Sequence, residues 1–170
     1  IRGDDHDNNT PRQINILKAL GAEVPVYAHL SMLLGDDAQK LSKRHGAVSV
    51  MEYQARGYLP EAVNNYLARL GWSHGNDEVF SMEQFCAWFG LDHITASAAQ
   101  FNTEKLDWLN GEYIKQTPAP RLGALLQPFL VQTGLSTSGG PPVERVADLL
   151  RDRSPTLVSM AAQAHYFYAR

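Results

Sequence analysis

A chain of 170 residues and 18.9 kDa has room for one ordinary domain or two small ones, and so for a true hydrophobic core. Its composition, 44% apolar and 19% charged, excludes disorder and a membrane span. The single cysteine excludes an internal disulfide, and no Cys/His cluster offers a structural zinc site, which fits a reducing cytoplasm. Fifteen Lys and Arg against 18 Asp and Glu give a net charge of -3, so contact with nucleic acid has to come from a local basic patch.

The chain opens on Ile1 rather than methionine, and Ile1-Arg2-Gly3 reads as the end of a strand whose beginning lies upstream. The expectation is a piece of a longer protein, since no signal-peptide pattern accounts for the missing start. Thr10 as N-cap, Pro11 at the first helical position, apolar residues at Ile14, Leu17 and Leu20, and Gly21 as terminator predict a helix. Residues 24–30 and 31–34 are short apolar runs that predict one or two strands before the polar turn Gly35-Asp36-Asp37. Strand, helix and strand in this order suggest part of an α/β sheet.

From Ser49 onward the pattern is helical. Ser49 and Glu52 have the spacing of a capping box, with Gly57 closing a short helix through Met51 and Tyr53. Further helices are predicted over 60–70, over 82–89 behind a Ser81/Gln84 capping box, and over 103–116 behind Asn102. Thr117-Pro118-Ala119-Pro120 interrupts helix continuity and marks a boundary. Beyond it, helices over 121–133, 143–152 and 155–168 are separated by a Ser/Gly/Pro-rich loop over 136–142. The fold class is mainly α with a small α/β portion.

The segment with most chemistry is Lys40-Leu41-Ser42-Lys43-Arg44-His45-Gly46, which gathers three fixed positive charges and a hydroxyl ahead of a glycine. Lysine supplies a point charge, arginine a planar fork of donors and serine a small donor, a set suited to polyphosphate or an RNA backbone. A basic run is more often solvated surface, but here the order of residues is informative. Lys40-Leu41-Ser42-Lys43-Arg44 resembles the Lys-Met-Ser-Lys-Ser signature loop of class I aminoacyl-tRNA synthetases, in the variant form of the bacterial glutamyl enzymes. Upstream, Ile1-Arg2-Gly3-Asp4-Asp5-His6 and Asn8-Asn9-Thr10-Pro11-Arg12-Gln13 resemble the strand end and helix start that precede this loop in the same family. Downstream, Gly57-Tyr58-Leu59-Pro60-Glu61-Ala62, Leu70-Gly71-Trp72-Ser73 and Lys105-Leu106-Asp107-Trp108-Leu109-Asn110 continue its pattern to about residue 116.

The resemblance implies three regions. Residues 1–48 would be the C-terminal piece of a Rossmann-like catalytic domain carrying the signature loop, 49–117 a helical stem-contact region, and 118–170 the start of an α-helical anticodon-binding domain. No His-Ile-Gly-His-type tetrapeptide occurs, so the other half of the nucleotide site is expected outside this chain. The implied activity is a ligase of the cytoplasm, a monomer away from membranes, that joins glutamate to tRNA(Glu) through glutamyl-adenylate. ATP would be a substrate, accompanied by Mg2+ with no metal site in this chain, and the chain alone would be inactive. A glutaminyl enzyme, a tRNA-modifying glutamylating paralogue, and a non-catalytic helical RNA-binding or interaction module are the alternatives.

Residue by residue, the family pattern gives Lys43 and Lys40 the catalytic role of stabilising charge on the departing pyrophosphate. Ser42 and Arg44 would join them in binding ATP, and Gly46 would let the loop close. Arg2 would hold the substrate carboxylate bidentately. Asp5 and His6 would lie beside the nucleotide, His6 more as a structural hydrogen-bonder than as a catalyst. Leu33 and Leu34 would hold adenine through backbone groups and apolar contact, or serve as core strand residues. Asp7 departs from the family, which more often has an apolar residue there. Lys105 and Trp108, with Asn110 and Tyr113, would touch tRNA, although Trp108 also fits the apolar face of Leu106, Leu109 and Ile114. Cys86 reads as a small buried hydrophobe, and Tyr166, Phe167 and Tyr168 as residues closing a helical core.

Overall fold

The computed structural model describes residues 1–35, 37–41 and 49–168. Its contacts divide the chain into two compact units, Ile1–Gly46 with Leu67–Phe101 and Ala47–Tyr66 with Asn102–Arg170. No helix among the described residues is long and apolar enough to cross a membrane.

The first unit begins with a β-α-β arrangement. Strand β1 (Arg2–Gly3) is followed by a 3-10 segment, Asp4–Asn9, and by helix α1 (Thr10–Ala19). The chain returns as β2 (His29–Leu30), parallel to β1 with Arg2 opposite His29 and Gly3 opposite Leu30. Pro11 sits in the first turn of α1, where its missing N–H is no loss. The expected cap moves by one residue: Asn9 is the N-cap and Thr10 the first helical residue. The 3-10 segment runs straight into α1, its Asp7 carbonyl accepts from the Thr10 N–H, and the Thr10 hydroxyl lies 3.0 Å from His29 Nε2.

Strand β3 (Leu33–Leu34) pairs in parallel with β4 (Ala99–Gln100), placing Leu33 opposite Ala99 and Leu34 opposite Gln100. Sequence reading did not anticipate β4, because a two-residue strand carries no alternation to detect. Beyond β3 the chain turns sharply. Gly35 N donates to Gln39 O at 2.8 Å and Leu41 N to Leu33 O at 2.8 Å, and Leu34 bridges Lys40 in the antiparallel sense.

The small core of this unit surrounds Trp72, which is 2% exposed. The indole meets Phe85 edge-on at 5.0 Å and Phe80 at 5.8 Å, geometries that suit the aromatic quadrupole. Helix α4 (Met82–Trp88) supplies Phe85 and Trp88, one turn apart, and Trp88 stacks on His74 at 4.2 Å. The Ser81/Gln84 capping box is present in both directions. Cys86 is exposed, against the expectation of burial: with Phe85 and Trp88 turned toward the aromatic group, the residue between them faces outward.

The second unit is helical: α2 (Val50–Ala55), α3 (Pro60–Arg69) as far as Tyr66, α5 (Thr103–Gln116), α6 (Ala119–Gln132), α7 (Val143–Leu150) and α8 (Leu157–Tyr168). Leu122, Leu126 and Leu130 recur every fourth residue on α6 and are fully buried. They meet Val146 and Ala147 of α7 and Met160, Ala161 and Ala164 of α8 in one core. The Thr117–Pro120 segment turns the chain without interrupting that core, since Ile114 of α5 joins the same cluster. Asn110, fully buried, accepts from Leu59 N at 2.8 Å and donates to the Pro155 carbonyl, tying α5 to two loops.

Two local expectations change here. The Ser49 side chain makes no cap bond, and Glu52 instead pairs with Arg56 at 2.6 Å, one turn along the same helix face. Of the aromatic trio at the end of α8, Tyr168 is buried and Phe167 lies against the core, but Tyr166 is 86% exposed because its position points to the opposite helix face. Gly57 closes α2 with φ +83, and a Cβ there would lie 2.6 Å from the Val158 backbone nitrogen, so its glycine is required twice over.

Candidate functional site

In the first unit a cleft of about 350 Å³, within the size range of ligand pockets, lies between the end of β1, the stretch from β2 to β3, and Leu67, Leu70 and Gly71. Its walls are mostly apolar, with Leu30, Met32, Leu33 and Leu41 contributing. Asp4, Asp5 and Lys40 bring charge to it.

The tight turn after β3 carries Lys40 to the cleft, while the 3-10 segment after β1 brings Asp5 from the other side. Lys40 Nζ donates to Asp5 Oδ2 at 2.9 Å although 35 residues separate them. That hydrogen bond, reinforced by the ammonium charge, holds the Asp5 carboxyl below the usual carboxylate range, against a weaker upward push from desolvation. Asp5 Oδ1 faces His6 Nε2 at 3.9 Å, and His6 Nδ1 lies 3.4 Å from Asn9 Nδ2. Gly3 makes room for this carboxylate, since a Cβ at Gly3 would come within 2.7 Å of Asp5 Oδ1.

Arg2, half-buried on β1, donates from Nη1 to Gln13 Oε1 at 2.9 Å, which fixes its guanidinium against α1 and engages one of its five donors. Leu33 lines the cleft and Leu34 does not. Their carbonyls already accept from Leu41 N and Phe101 N. Arg2, Asp5, His6, Leu33, Leu34 and Lys40 thus share one unit, and Gly3, Asp5, Leu33 and Lys40 share one cleft or its rim. Ser42, Lys43, Arg44 and Gly46 lie outside the described residues.

The second unit carries the other candidates. Lys105 and Trp108 are exposed on α5, Trp108 by 45%, so this indole does not join the apolar face formed by Leu106, Leu109 and Ile114. Asn110 is sealed in the core, and the Tyr113 hydroxyl donates to Asn65 Oδ1 at 2.8 Å, which makes both scaffold residues. Tyr58, singled out only as part of a motif, donates to Asp107 Oδ1. Burial first, and then this carboxylate, pushes its phenol well above the usual range. Sequence reading also passed over Ser31, which lines the cleft with a buried hydroxyl lacking a hydrogen-bond partner among the described residues. A serine between two short apolar runs carries no signal by itself.

Among the described residues no group of three or more His, Cys, Asp or Glu side chains converges to hold a metal ion. The cleft offers apolar walls and an exposed lysine at its rim, next to the start of the basic segment.

The family described as "tRNA synthetases class I (E and Q), catalytic domain" matches residues 1–108. The chain belongs to this family of class I tRNA synthetases. It is 68% identical over 169 residues to a glutamate–tRNA ligase of Dechloromonas aromatica (strain RCB), covering 99% of this chain and 36% of that protein. It is 65% identical over 170 residues to a glutamate–tRNA ligase of Methylobacillus flagellatus, covering 100% of this chain and 36% of the relative. The crystal structure of a glutamate tRNA ligase from Elizabethkingia meningosepticum in complex with its amino acid superposes with a TM-score of 0.82 at 25% identity, over 99% of this chain and 38% of that one. The chain thus spans little more than a third of the length of the curated relatives it matches.

Proposed function

We propose that this chain is part of a glutamate–tRNA ligase and contributes the phosphate-handling side of its adenylation site. In the first step the glutamate α-carboxylate attacks the α-phosphorus of ATP, the bond to the bridging oxygen of the β-phosphate breaks, and pyrophosphate leaves with the negative charge. In the second, a hydroxyl of the terminal ribose of tRNA attacks the activated carbonyl and AMP departs. Lys40 and Lys43 neutralise the charge that builds on the leaving pyrophosphate, an interaction stronger in the transition state than in the ground state. Ser42 and Arg44 bind phosphate oxygens, and Arg2 offers its guanidinium to the side-chain carboxylate of glutamate.

The observation that carries this reading is Lys40, the first residue of the signature segment, at the rim of the cleft. Its side chain is 62% exposed and open to a ligand. Asp5, His6 and the apolar wall at Leu33 belong to the same nucleotide site, with Leu34 in the strand behind it. Magnesium would arrive on the nucleotide's own phosphates and supply charge neutralisation there. For tRNA(Glu), the exposed Lys105 and Trp108 are the contacts we assign to the acceptor stem, with α6 to α8 opening the anticodon-binding region. The activity belongs to cytoplasmic protein synthesis, and we take the working unit to be a monomer.

The names of the relatives favour glutamate over glutamine and over a paralogue acting on a modified base. The test is ATP–pyrophosphate exchange by the full-length protein that carries this chain, with tRNA present. Exchange that requires glutamate and ignores glutamine is expected. Exchange driven equally well by glutamine, or none with either amino acid, would contradict the proposal. The 170-residue chain alone is expected to give no exchange, because positioning both reactants supplies much of the rate.

A further inference from the structure

We propose that Asp5 is a positioning residue for the phosphate-binding lysine: its carboxylate holds the Lys40 ammonium extended at the cleft rim, ready to receive the triphosphate. The inference rests on the ligase reading above, and it gives Asp5 a role through Lys40 rather than through contact with the nucleotide.

Three observations converge on it. Lys40 Nζ meets Asp5 Oδ2 at 2.9 Å, and this is the only protein partner of the ammonium among the described residues. An ammonium has three donors, so one bond to Asp5 leaves two for phosphate oxygens. A lysine left free on a turn samples many rotamers, and the restraint removes part of the entropy cost of meeting a ligand. The carboxylate is itself held in place. The backbone of the 3-10 segment Asp4–Asn9 carries it, and the absence of a side chain at Gly3 gives its Oδ1 the space it occupies. His6 faces that same Oδ1 at 3.9 Å, so the oxygen turned toward Lys40 is the one left to the ammonium. The bond is made to a group whose one other ion-pair neighbour among the described residues is His6. Both partners are substantially exposed, so the pair contributes little to folding and its effect is expected in binding.

The experiment measures glutamate-dependent ATP–pyrophosphate exchange, with tRNA present, by the full-length ligase in four forms: unsubstituted, Asp5→Asn, Lys40→Ala and the double variant. Asp5→Asn keeps the shape and removes the charge that restrains the lysine. Its KM for ATP is expected to rise about two- to fivefold with kcat nearly unchanged, the scale of coupling between exposed charge pairs. Asp5→Glu is expected to recover part of the loss, and the midpoint of thermal unfolding to stay where it was. In the Lys40→Ala background the same Asp5→Asn change is expected to leave KM for ATP unaltered, because the residue it acts through is gone. A rise in KM of equal size in both backgrounds would overturn the role of Asp5 alone, assigning it to direct contact with the nucleotide. A fall in KM would overturn it too, since Asp5 would then compete with phosphate for the lysine. No glutamate-dependent exchange in the unsubstituted enzyme would overturn the ligase reading and this role with it.

Discussion

The second unit seals a continuous helical core in which Leu122, Leu126, Leu130 and Met160 are fully buried, whereas the first unit buries little besides Leu70, Trp72 and Phe80. The first unit is held together by short strands, turns and aromatic edges, and its charged groups stay in reach of solvent. On the proposed function, the difference follows from what each would have to do. A core of leucines gives stability by removing apolar area from water and needs no open face. A site for a polyphosphate needs exposed cations on a backbone that orients them, and accepts a smaller core in return.

Truncations test that contrast most strongly. Trp72→Ala is expected to cost about 3–5 kcal/mol, because one indole holds the aromatic group together, and Leu126→Ala about 2–5 kcal/mol from a site with no solvent access. Chemical denaturation checks both. If Trp72→Ala cost less than 1 kcal/mol, the aromatic group would not be the core of the first unit. Asn110→Ala comes next, at about 1–3 kcal/mol, since it strands the Leu59 N–H and removes the donor to Pro155. A neutral result in the same measurement would mean that those backbone groups find other partners.

Tyr58 links stability to pH. Folding raises the pKa of its phenol, so the folded state keeps a proton that the unfolded chain releases above about pH 10. Its contribution is complete below that pH and declines as pH rises further. Tyr58→Phe is expected to lose about 1 kcal/mol near neutrality with the Asp107 bond and to show a shallower alkaline decline. An unchanged alkaline limb in pH-dependent unfolding would remove Tyr58 as its source. Ser81→Ala, at the exposed start of α4, is expected to cost a similar amount, about 1 kcal/mol for the lost cap, and helicity followed by thermal scan reads it.

Most of the helices were legible in the sequence because helices announce themselves through period and punctuation. Asn102 and the Ser81/Gln84 pair cap as their spacing implied, and the helix over 103–116 falls where it was expected. The Thr10 cap differs because a 3-10 segment runs into the helix before it, and at the next helix Ser49 makes no cap bond while Glu52 pairs with Arg56. The site was legible only through its motif. Nothing in the local sequence announces that Asp5 meets Lys40, since a contact between residues 35 apart depends on the crossover from β1 to β2 and the turn after β3. The two-residue strand β4 and the outward face of Cys86 were hidden for the same reason: both are set by tertiary neighbours rather than by period.

We propose above all that the basic segment beginning at Lys40 handles the charge of the departing pyrophosphate. Pre-steady-state formation of glutamyl-adenylate by the full-length ligase carrying Lys43→Ala, at saturating ATP and glutamate, tests it most directly. The rate is expected to fall by about 10²-fold or more, the cost of removing one preorganised charge-stabilising donor, with much smaller changes in ATP and glutamate affinity. Lys43→Arg is expected to restore part of it, because the guanidinium keeps the charge and alters its reach. An adenylation rate in Lys43→Ala equal to that of the unsubstituted enzyme would contradict the account and leave the segment a solvated basic surface.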